Sequence, residues 1–330
     1  MNNIPEFPLH YPILIVSPNA NLDSYYMMEQ IQVNAVNRAH VAVHTAGGKG
    51  NNMARAARSL GGNILSLGMV GGTSGQYIRQ ELEREGIPHE LVWTKNETRR
   101  SSTLIDTRLL QTTVVLDAGE PVELENGREL IARTRQYAKQ AKYLVLIGSL
   151  PHGLPTSYYA DFIHAVADFP QLKICLDCSG EVLKKATEAR AHVIKINAQE
   201  FYGSFLEHEA FELSQVLAVF HRLENQGLEL LIITNGSKGA YIFPSQKPPF
   251  LVNTRVDTLV TTVGAGDTFL AGLLLKLLDD RDIEEAACFA SAAAAANLQN
   301  IVCGSLTQED VRDFLALTEC IPLSKSMEMG

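Results

Sequence analysis

Toward the C-terminal end of the chain, VGAGDTF (residues 263–269) sets Gly264, Ala265 and Gly266 directly before Asp267, and an apolar run, FLAGLLLKLL, follows. In that run Phe269, Leu270, Leu273, Leu274, Leu277 and Leu278 share one wide face at helical spacing. A helix therefore starts at the small residues, with Asp267 in its first turn. Peptide N–H groups at a helix start lack partners within the helix and suit an anion. Aimed at a transferring phosphoryl group, such amides stabilise the charge that develops there. An aspartate beside them can take the proton of an attacking hydroxyl. Those are the two protein roles that phosphoryl transfer needs, with metal ions sharing the charge. A plainer reading fits the same residues: an acid in a first turn suits the helix dipole and needs no chemistry. A dinucleotide fingerprint fits less well, because the third glycine of G-x-G-x-x-G is missing and no acid follows about 20 residues on after a second strand.

Other stretches carry weaker signals. In HTAGGKGNNMARAARSLGG (44–62), Gly47, Gly48 and Gly50 surround Lys49 at a helix start, where amides and an ammonium could meet an anion. The Walker loop requires Ser or Thr after the lysine, and here Gly50 follows. A steric turn explains the glycines equally well. LGMVGGTSGQYIRQELEREGI (67–87) reads as a backbone turn before an amphipathic helix. VIKINAQE (193–200) ends a strand with Asn197 and Glu200, which could orient magnesium-bound water. Taken alone, an Asx turn and a helix-start glutamate suffice there. LIITNGSKGAYIF (230–243) reads as strand, turn, strand, with Gly236 and Gly239 in the turn. CLDC (175–178) lies on a strand, so Cys175 and Cys178 point to opposite faces and read as two buried structural thiols.

The elements that must position these residues follow from periodicity. From about residue 130, amphipathic helices alternate with the continuous apolar strands YLVLIGS, KICLDCS, HVIKIN and LELLIITNG. Strands apolar on both faces, separated by helices, indicate a parallel sheet covered on each side. Such sheets place ligand sites at the carboxyl ends of their strands. Residues 31–45 and 90–117, rich in Val, Thr and Ile, break the rhythm and read as antiparallel strands of a small lid. The final SKSMEMG reads as a disordered tail. A chain of 330 residues with net charge −9 and no basic run makes nucleic acid and anionic membranes poor partners. An acidic protein can still hold an anionic metabolite where cations gather locally. No apolar run approaches membrane-spanning length, and five scattered cysteines suit reduced thiols in a cytoplasm.

In this order, AGGKGNNMARAARSLGG and VGAGDTFLAG resemble the paired signatures of the ribokinase-like, or PfkB, family of sugar kinases. The resemblance runs from VSPNANLD to GSLTQEDV. Within the family, MVGGTSG, the ETR at 97–99, GSLPHGLP at 148–155 and LDCSG at 176–180 are similar to the 1-phosphofructokinase and tagatose-6-phosphate kinase branch. The resemblance implies an α/β, ribokinase-like three-layer αβα fold with a mostly parallel sheet and a small β-sheet lid. One kinase domain would span residues 1–320, with 321–330 as the tail. It implies ATP as co-substrate, Mg2+ as cofactor and a sugar phosphate as acceptor; separately, the exposed edge of the lid strands suits pairing of two lids into a homodimer. Asp267 would be the base, and Gly264, Ala265 and Gly266 the anion hole. Asn197 and Glu200 would organise magnesium and its water. Thr234, Gly236 and Gly239 would lie in the nucleotide loop and Asn297 near the adenine. Asp23, Gly48 and Asn52 would hold sugar hydroxyls; Lys49, Arg99 and Ser149 would hold the phosphate already on the sugar. The chain departs from the family at Thr261, Ile196 and Ala20, and Thr261 leaves a monovalent-cation requirement open. Fructose 1-phosphate, tagatose 6-phosphate and fructose 6-phosphate all remain open as substrates. So do a kinase of an unphosphorylated sugar or nucleoside and a non-catalytic sensor.

Overall fold

The computed structural model describes residues 10–206 and 212–323. β1 (Ile13–Ser17) is buried along its whole length. The chain then leaves the main layer for β2 (Asn21–Met28) and β3 (Val41–Gly47), an antiparallel pair. It returns through α1 (Lys49–Ser59) to β4 (Ile64–Gly71), parallel to β1, then through α2 (Gly72–Arg84) to β5 (His89–Thr94). β6 (Arg100–Asp106) and β7 (Gln111–Leu116) leave again and complete a four-stranded sheet in the order β3-β2-β6-β7.

Regular alternation follows: α3 (Leu124–Ala138), β8 (Tyr143–Ile147), α4 (Tyr158–Ala165), β9 (Lys173–Asp177), α5 (Gly180–Glu188), β10 (Val193–Asn197), α6 (Ala198–Phe205), α7 (Leu213–Glu224) and β11 (Leu230–Thr234). β12 (Ala240–Pro244) and β13 (Phe250–Thr254) turn antiparallel. Then come α8 (Ala265–Leu278), α9 (Ile283–Asn297), α10 (Gln308–Leu315) and β14 (Thr318–Pro322), which pairs antiparallel with β13. The large sheet runs β14-β13-β12-β11-β10-β9-β8-β1-β4-β5, and from β5 to β11 every pairing is parallel.

β1 shows why the sheet is covered on both faces. Ile13 and Ile15 point into a core shared with α1, α2, α8, α9 and α10. Leu14 and Val16 point into another, shared with α3 to α7. Two-residue alternation of an all-apolar strand thus demands a helical layer on each side. The expected three layers are present. The alanines of α9 serve the first core: a Cβ at Gly272 of α8 would come within 3.3 Å of the Ala290 Cα, so the two helices pack at close range. Cys175 belongs to one core and Cys178 to the other, as their strand spacing requires. The Cys288 and Cys320 sulfurs meet at 2.7 Å between α9 and β14.

Three boundaries differ from the sequence reading. In the segment 31–45, only residues from Val41 onward form a strand. An inner strand of the small sheet is β2, which the sequence reading did not assign and which pairs parallel with β6; its buried Asn21 and Asp23 mask its apolar alternation. Of residues 90–117, the first part (β5) joins the large sheet, because its Leu91 and Val92 are core residues. At the C-terminus, Ile321 and Pro322 lie in β14 rather than in the tail, and SKSMEMG lies outside the described residues.

The small sheet is anchored by Arg55 of α1, which is buried. Its guanidinium donates to Glu85 at 2.9 Å, to Thr45 Oγ1 at 2.8 Å, to the Ala46 carbonyl at 2.7 Å and to the Cys303 carbonyl at 3.0 Å. Burying this cation is tolerable only because its donors are met.

Candidate active site

β1 lies between β4 and β8, so the chain winds outward from it in both directions and leaves a crevice at the strands' carboxyl ends. Asp177, Asn197 and Thr234 end β9, β10 and β11 there, and Gly148 and Ser149 follow β8. α1 and α8 both start at this end.

The start of α8 is fixed by sterics. Gly264 caps it at φ 73°, a left-handed conformation, and a Cβ there would overlap the Cys303 sulfur at 1.6 Å. No side chain caps this terminus, so its first amides stay available. A Cβ at Gly266 would sit 2.4 Å from Lys195 Nζ, so the glycine lets a buried ammonium stand against the same amides. Lys195 binds Asp177 at 2.8 Å, and the other Asp177 oxygen accepts from Lys49 at 2.8 Å. Burial alone would raise the Asp177 pKa, but Lys195 and Lys49 outweigh it and hold the carboxyl low. Burial likewise opposes the charge on Lys49, and Asp177, Asp267 and Glu200 reverse that and raise it.

Asp267 is buried, and burial is the main reason its pKa is pushed up to about 6, with Asp177 adding to the rise and Lys195 and Lys49 opposing it. Asn52 Nδ2 donates to its Oδ2 at 3.0 Å. The Asn52 Oδ1 is buried with no hydrogen-bond partner in the protein, an acceptor that a ligand hydroxyl would satisfy. The carboxylate and the free amide oxygen thus stand side by side.

A second group gathers beside β2. Asp23 is buried, its carboxylate meeting Asn21 and Ser101, and burial raises its pKa. Gly47 has no Cβ because one would overlap that carboxylate, and Gly48, at φ 91°, begins α1 next to Asn21. Arg99 donates to the Asn19 carbonyl at 3.2 Å, while the Asn19 side chain donates to Ser149 at 3.0 Å. The Arg99 Nε is buried and unpartnered, and the residue lines a cavity with Asn19, Thr98, Gly119 and Pro151. Glu97, two residues earlier, caps α2: its carboxylate accepts from the Thr73 amide at 3.0 Å and the Ser74 amide at 2.6 Å. Hydrogen bonds from Ser74 and Thr73 depress its pKa to about 2.

The remaining expected residues divide. Asn197 and Glu200 form a reciprocal capping box at α6, so the plainer reading of N-x-x-E is present. Glu200 is nonetheless partly exposed, and its Oε1 lies 3.5 Å from Lys49 at the mouth of the crevice. One hard-oxygen carboxylate open to solvent fits a magnesium ion held through water and nucleotide phosphates. Among the described residues no cluster of three or more His, Cys, Asp or Glu is arranged as a metal cage. Thr234 pairs with Asn197 across the sheet. Gly236, at φ 54°, faces open space, while Gly239, at φ 91°, packs on the Val252 carbonyl. Asn297 differs from expectation: it is fully buried, its Nδ2 donates to the Val263 carbonyl and its Oδ1 accepts from the Gly304 amide, so its side chain is turned to the backbone. Lys49 also departs, since its ammonium is held by Asp177 and Glu200 while Arg99 and Ser149 meet at Asn19. Lys195 and Asp177 were missed by the sequence reading. The signal was a lysine within the otherwise apolar VIKIN and an aspartate closing an apolar strand, because buried charges are rare unless paired.

A fold that gathers cations and free amides around a buried carboxylate belongs with the phosphotransferases. The chain belongs to the pfkB family of carbohydrate kinases, which it matches over residues 19–310. The tagatose-6-phosphate kinase of Staphylococcus epidermidis is 29% identical over 311 residues, 94% of this chain and 99% of that protein. Among solved structures, phosphofructokinase-2 from Escherichia coli in complex with potassium matches with a TM-score of 0.84 at 24% identity, covering 93% of this chain and 98% of that one. The ribokinase of Arabidopsis thaliana complexed with ribose and ATP matches with a TM-score of 0.70 at 20% identity, covering 93% and 99%. The architecture is therefore ribokinase-like.

Proposed function

We propose that the protein transfers the γ-phosphoryl group of ATP to a primary hydroxyl of a phosphorylated ketohexose, giving a sugar bisphosphate and ADP. The observation that carries this reading is the buried, unpartnered Nε of Arg99 in a cavity lined by Asn19, Thr98, Gly119 and Pro151. That nitrogen lacks an acceptor, although Asp23 and Asp117 lie near enough to favour the charge, and an oxygen of a sugar's own phosphate would supply one. An unphosphorylated sugar leaves it unmet.

The other roles follow from position. Asp23, Gly48 and Asn52 hold sugar hydroxyls. Asp267 accepts the proton of the attacking hydroxyl, and its raised pKa makes it a better base at neutral pH than an ordinary carboxylate. The Gly264, Ala265 and Gly266 amides, with Lys195 behind them, receive the charge on the transferring group. Lys49 serves the donor side of the crevice, where Asp177 and Glu200 hold it. Magnesium, bound through water at Glu200 and Asn197, supplies charge neutralisation on the ATP phosphates. Thr234, Gly236 and Gly239 border the nucleotide. The small sheet closes over the sugar and excludes water. Its exposed apolar residues, among them Leu110, Val115 and Leu116, pair with a second copy. The enzyme works in the cytoplasm; among the described residues no helix is long and apolar enough to cross a membrane.

ADP release measured with fructose 1-phosphate, tagatose 6-phosphate, fructose 6-phosphate, ribose and a nucleoside tests the reading. Turnover on a hexose phosphate is expected. Arg99→Ala should raise KM for that substrate by roughly tenfold or more and leave KM for ATP in place. A best substrate without phosphate, or an unchanged KM, would replace the proposal with a kinase of plain sugars. No stimulation by any of them would leave a sensor.

A further inference from the structure

The Val263 carbonyl stands immediately before the Gly264–Gly266 turn, and two side chains converge on it. Asn297 Nδ2 donates at 3.0 Å and Cys303 Sγ at 2.9 Å. The donors come from the end of α9 and from the turn after it. They are tied together, because Asn297 Oδ1 accepts from the Gly304 amide at 2.7 Å. Both side chains are fully buried. On the other side, Thr261 Oγ1 accepts from the Val263 amide at 3.2 Å. The backbone of Val263 is therefore held at its oxygen by two donors and at its nitrogen by one acceptor.

The Val263 carbonyl and the Gly264 N–H belong to one peptide unit. That unit is planar and trans, so its oxygen and its hydrogen point in opposite directions. Fixing the oxygen fixes the direction of the N–H. Donation to the oxygen also polarises the unit and strengthens its N–H as a donor. Gly264 itself makes no such choice, since a glycine at φ 73° has wide conformational freedom. The sulfur that donates is also the atom that a Cβ at Gly264 would overlap, so thiol and glycine fit each other closely. Burial pushes the Cys303 thiol well up, which keeps it protonated and able to donate.

We propose that Asn297 and Cys303 are positioning residues for the transfer step, aiming the Gly264 amide at the phosphoryl group by holding the Val263 carbonyl. The inference rests on the anion-hole reading of Gly264–Gly266. It gives Asn297 a place in catalysis other than the adenine contact expected from the sequence.

The test compares Cys303→Ala with Cys303→Ser, because serine restores a donor at the same place. Cys303→Ala should lower kcat by roughly tenfold, less than the loss of an anion-hole donor itself, with KM for sugar phosphate and ATP within about twofold of wild type. Cys303→Ser should recover most of kcat. Hydrogen–deuterium exchange of the peptide carrying residues 263–268 gives a readout independent of turnover: faster exchange in Cys303→Ala, wild-type exchange in Cys303→Ser. Equal loss in both variants, with a matching fall in Tm, would make Cys303 a packing residue and overturn the proposal. So would wild-type kcat and exchange in Cys303→Ala. If the wild type turns over no sugar or sugar phosphate, the kinase reading fails with the anion hole. The exchange comparison then still decides whether the thiol holds the turn.

Discussion

At the scale of single residues, Asp267 shows a conflict between stability and chemistry. Its folded-state pKa of about 6 lies above the usual 3.8, so the fold prefers the neutral acid. The sign follows from linkage: the folded state holds this proton more tightly, so stability falls as pH rises from about 4 to above 6. At pH 7.5 the ionised group costs about 3 kcal/mol. Asp267→Asn should therefore raise Tm at pH 7.5 by roughly 3–6 °C while kcat drops by about two orders of magnitude or more. The gain in Tm should shrink toward pH 4, where the wild-type carboxyl is protonated. In the wild type, kcat/KM should rise with pH through about 6 and level off above 7, since only the carboxylate accepts a proton. A mutant with normal turnover would return Asp267 to the status of a first-turn acid. Much of this residue's setting was legible in VGAGDTF, because small residues before an acid and an apolar run define a helix start. Its electrostatic neighbours were not. Lys195 and Asp177 lie on adjacent strands, and only the pairing of β9 with β10 brings that ion pair together. The resemblance alone placed Asn297 near a nucleotide, and nothing in its local sequence shows that its amide meets the Val263 and Gly304 backbones.

At the scale of elements, the Arg99 end of the cleft depends on a helix cap supplied from a distance. Glu97 holds the α2 amides at Thr73 and Ser74, and Gly72 must lack a Cβ because one would overlap the Glu97 carboxylate. MVGGTSG and ETR, which read as a turn and as an arginine carrier, are thus halves of one contact. Holding Glu97 in place also places Arg99. Glu97→Ala should raise KM for the sugar phosphate severalfold, change kcat little and lower Tm, as loss of an N-terminal cap does. The depressed pKa adds an acid dependence of definite sign: the stability Glu97 contributes is present above its usual range near 4.5 and is lost as pH falls toward 2. Wild type and Glu97→Gln should then differ most in Tm above pH 5 and converge in acid. The layers of the large sheet were readable because apolar strands and amphipathic helices alternate without interruption after residue 130. The small sheet was half readable. β2 hides its period behind Asn21 and Asp23, polar residues at buried positions that bond to each other and to Ser101.

At the scale of the whole molecule, the small sheet touches one core only through Ala46 and Leu22, and it and its connections carry exposed Val33, Val36, Leu109, Leu110, Val115 and Leu116. A solvated protein keeps so many large apolar side chains on one appendage only at a cost in solubility, and a second copy would cover them. Light scattering behind a sizing column should give about twice the mass of the chain, and Leu110→Asp with Val115→Lys should shift it toward one. A wild type that runs at single-chain mass at micromolar concentration would sink the dimer. The anchoring of this sheet by Arg55 has a mechanical consequence. The guanidinium grips Thr45 and Ala46 at the end of β3 nearest the cleft, while the first residues of β3 and the turn at Leu109 and Leu110 project outward. Within a single chain the sheet is a cantilever, clamped at its root and free at its tip. Deflection of such a beam grows with distance from the clamp, so the tip can swing widely while Asp23 and Arg99 at the root hardly travel. If the sheet opens and closes over a sugar as proposed, a grip at Asp23 and Arg99 would stay in register, and a partner bound at the tip would act on the stroke without touching the hold.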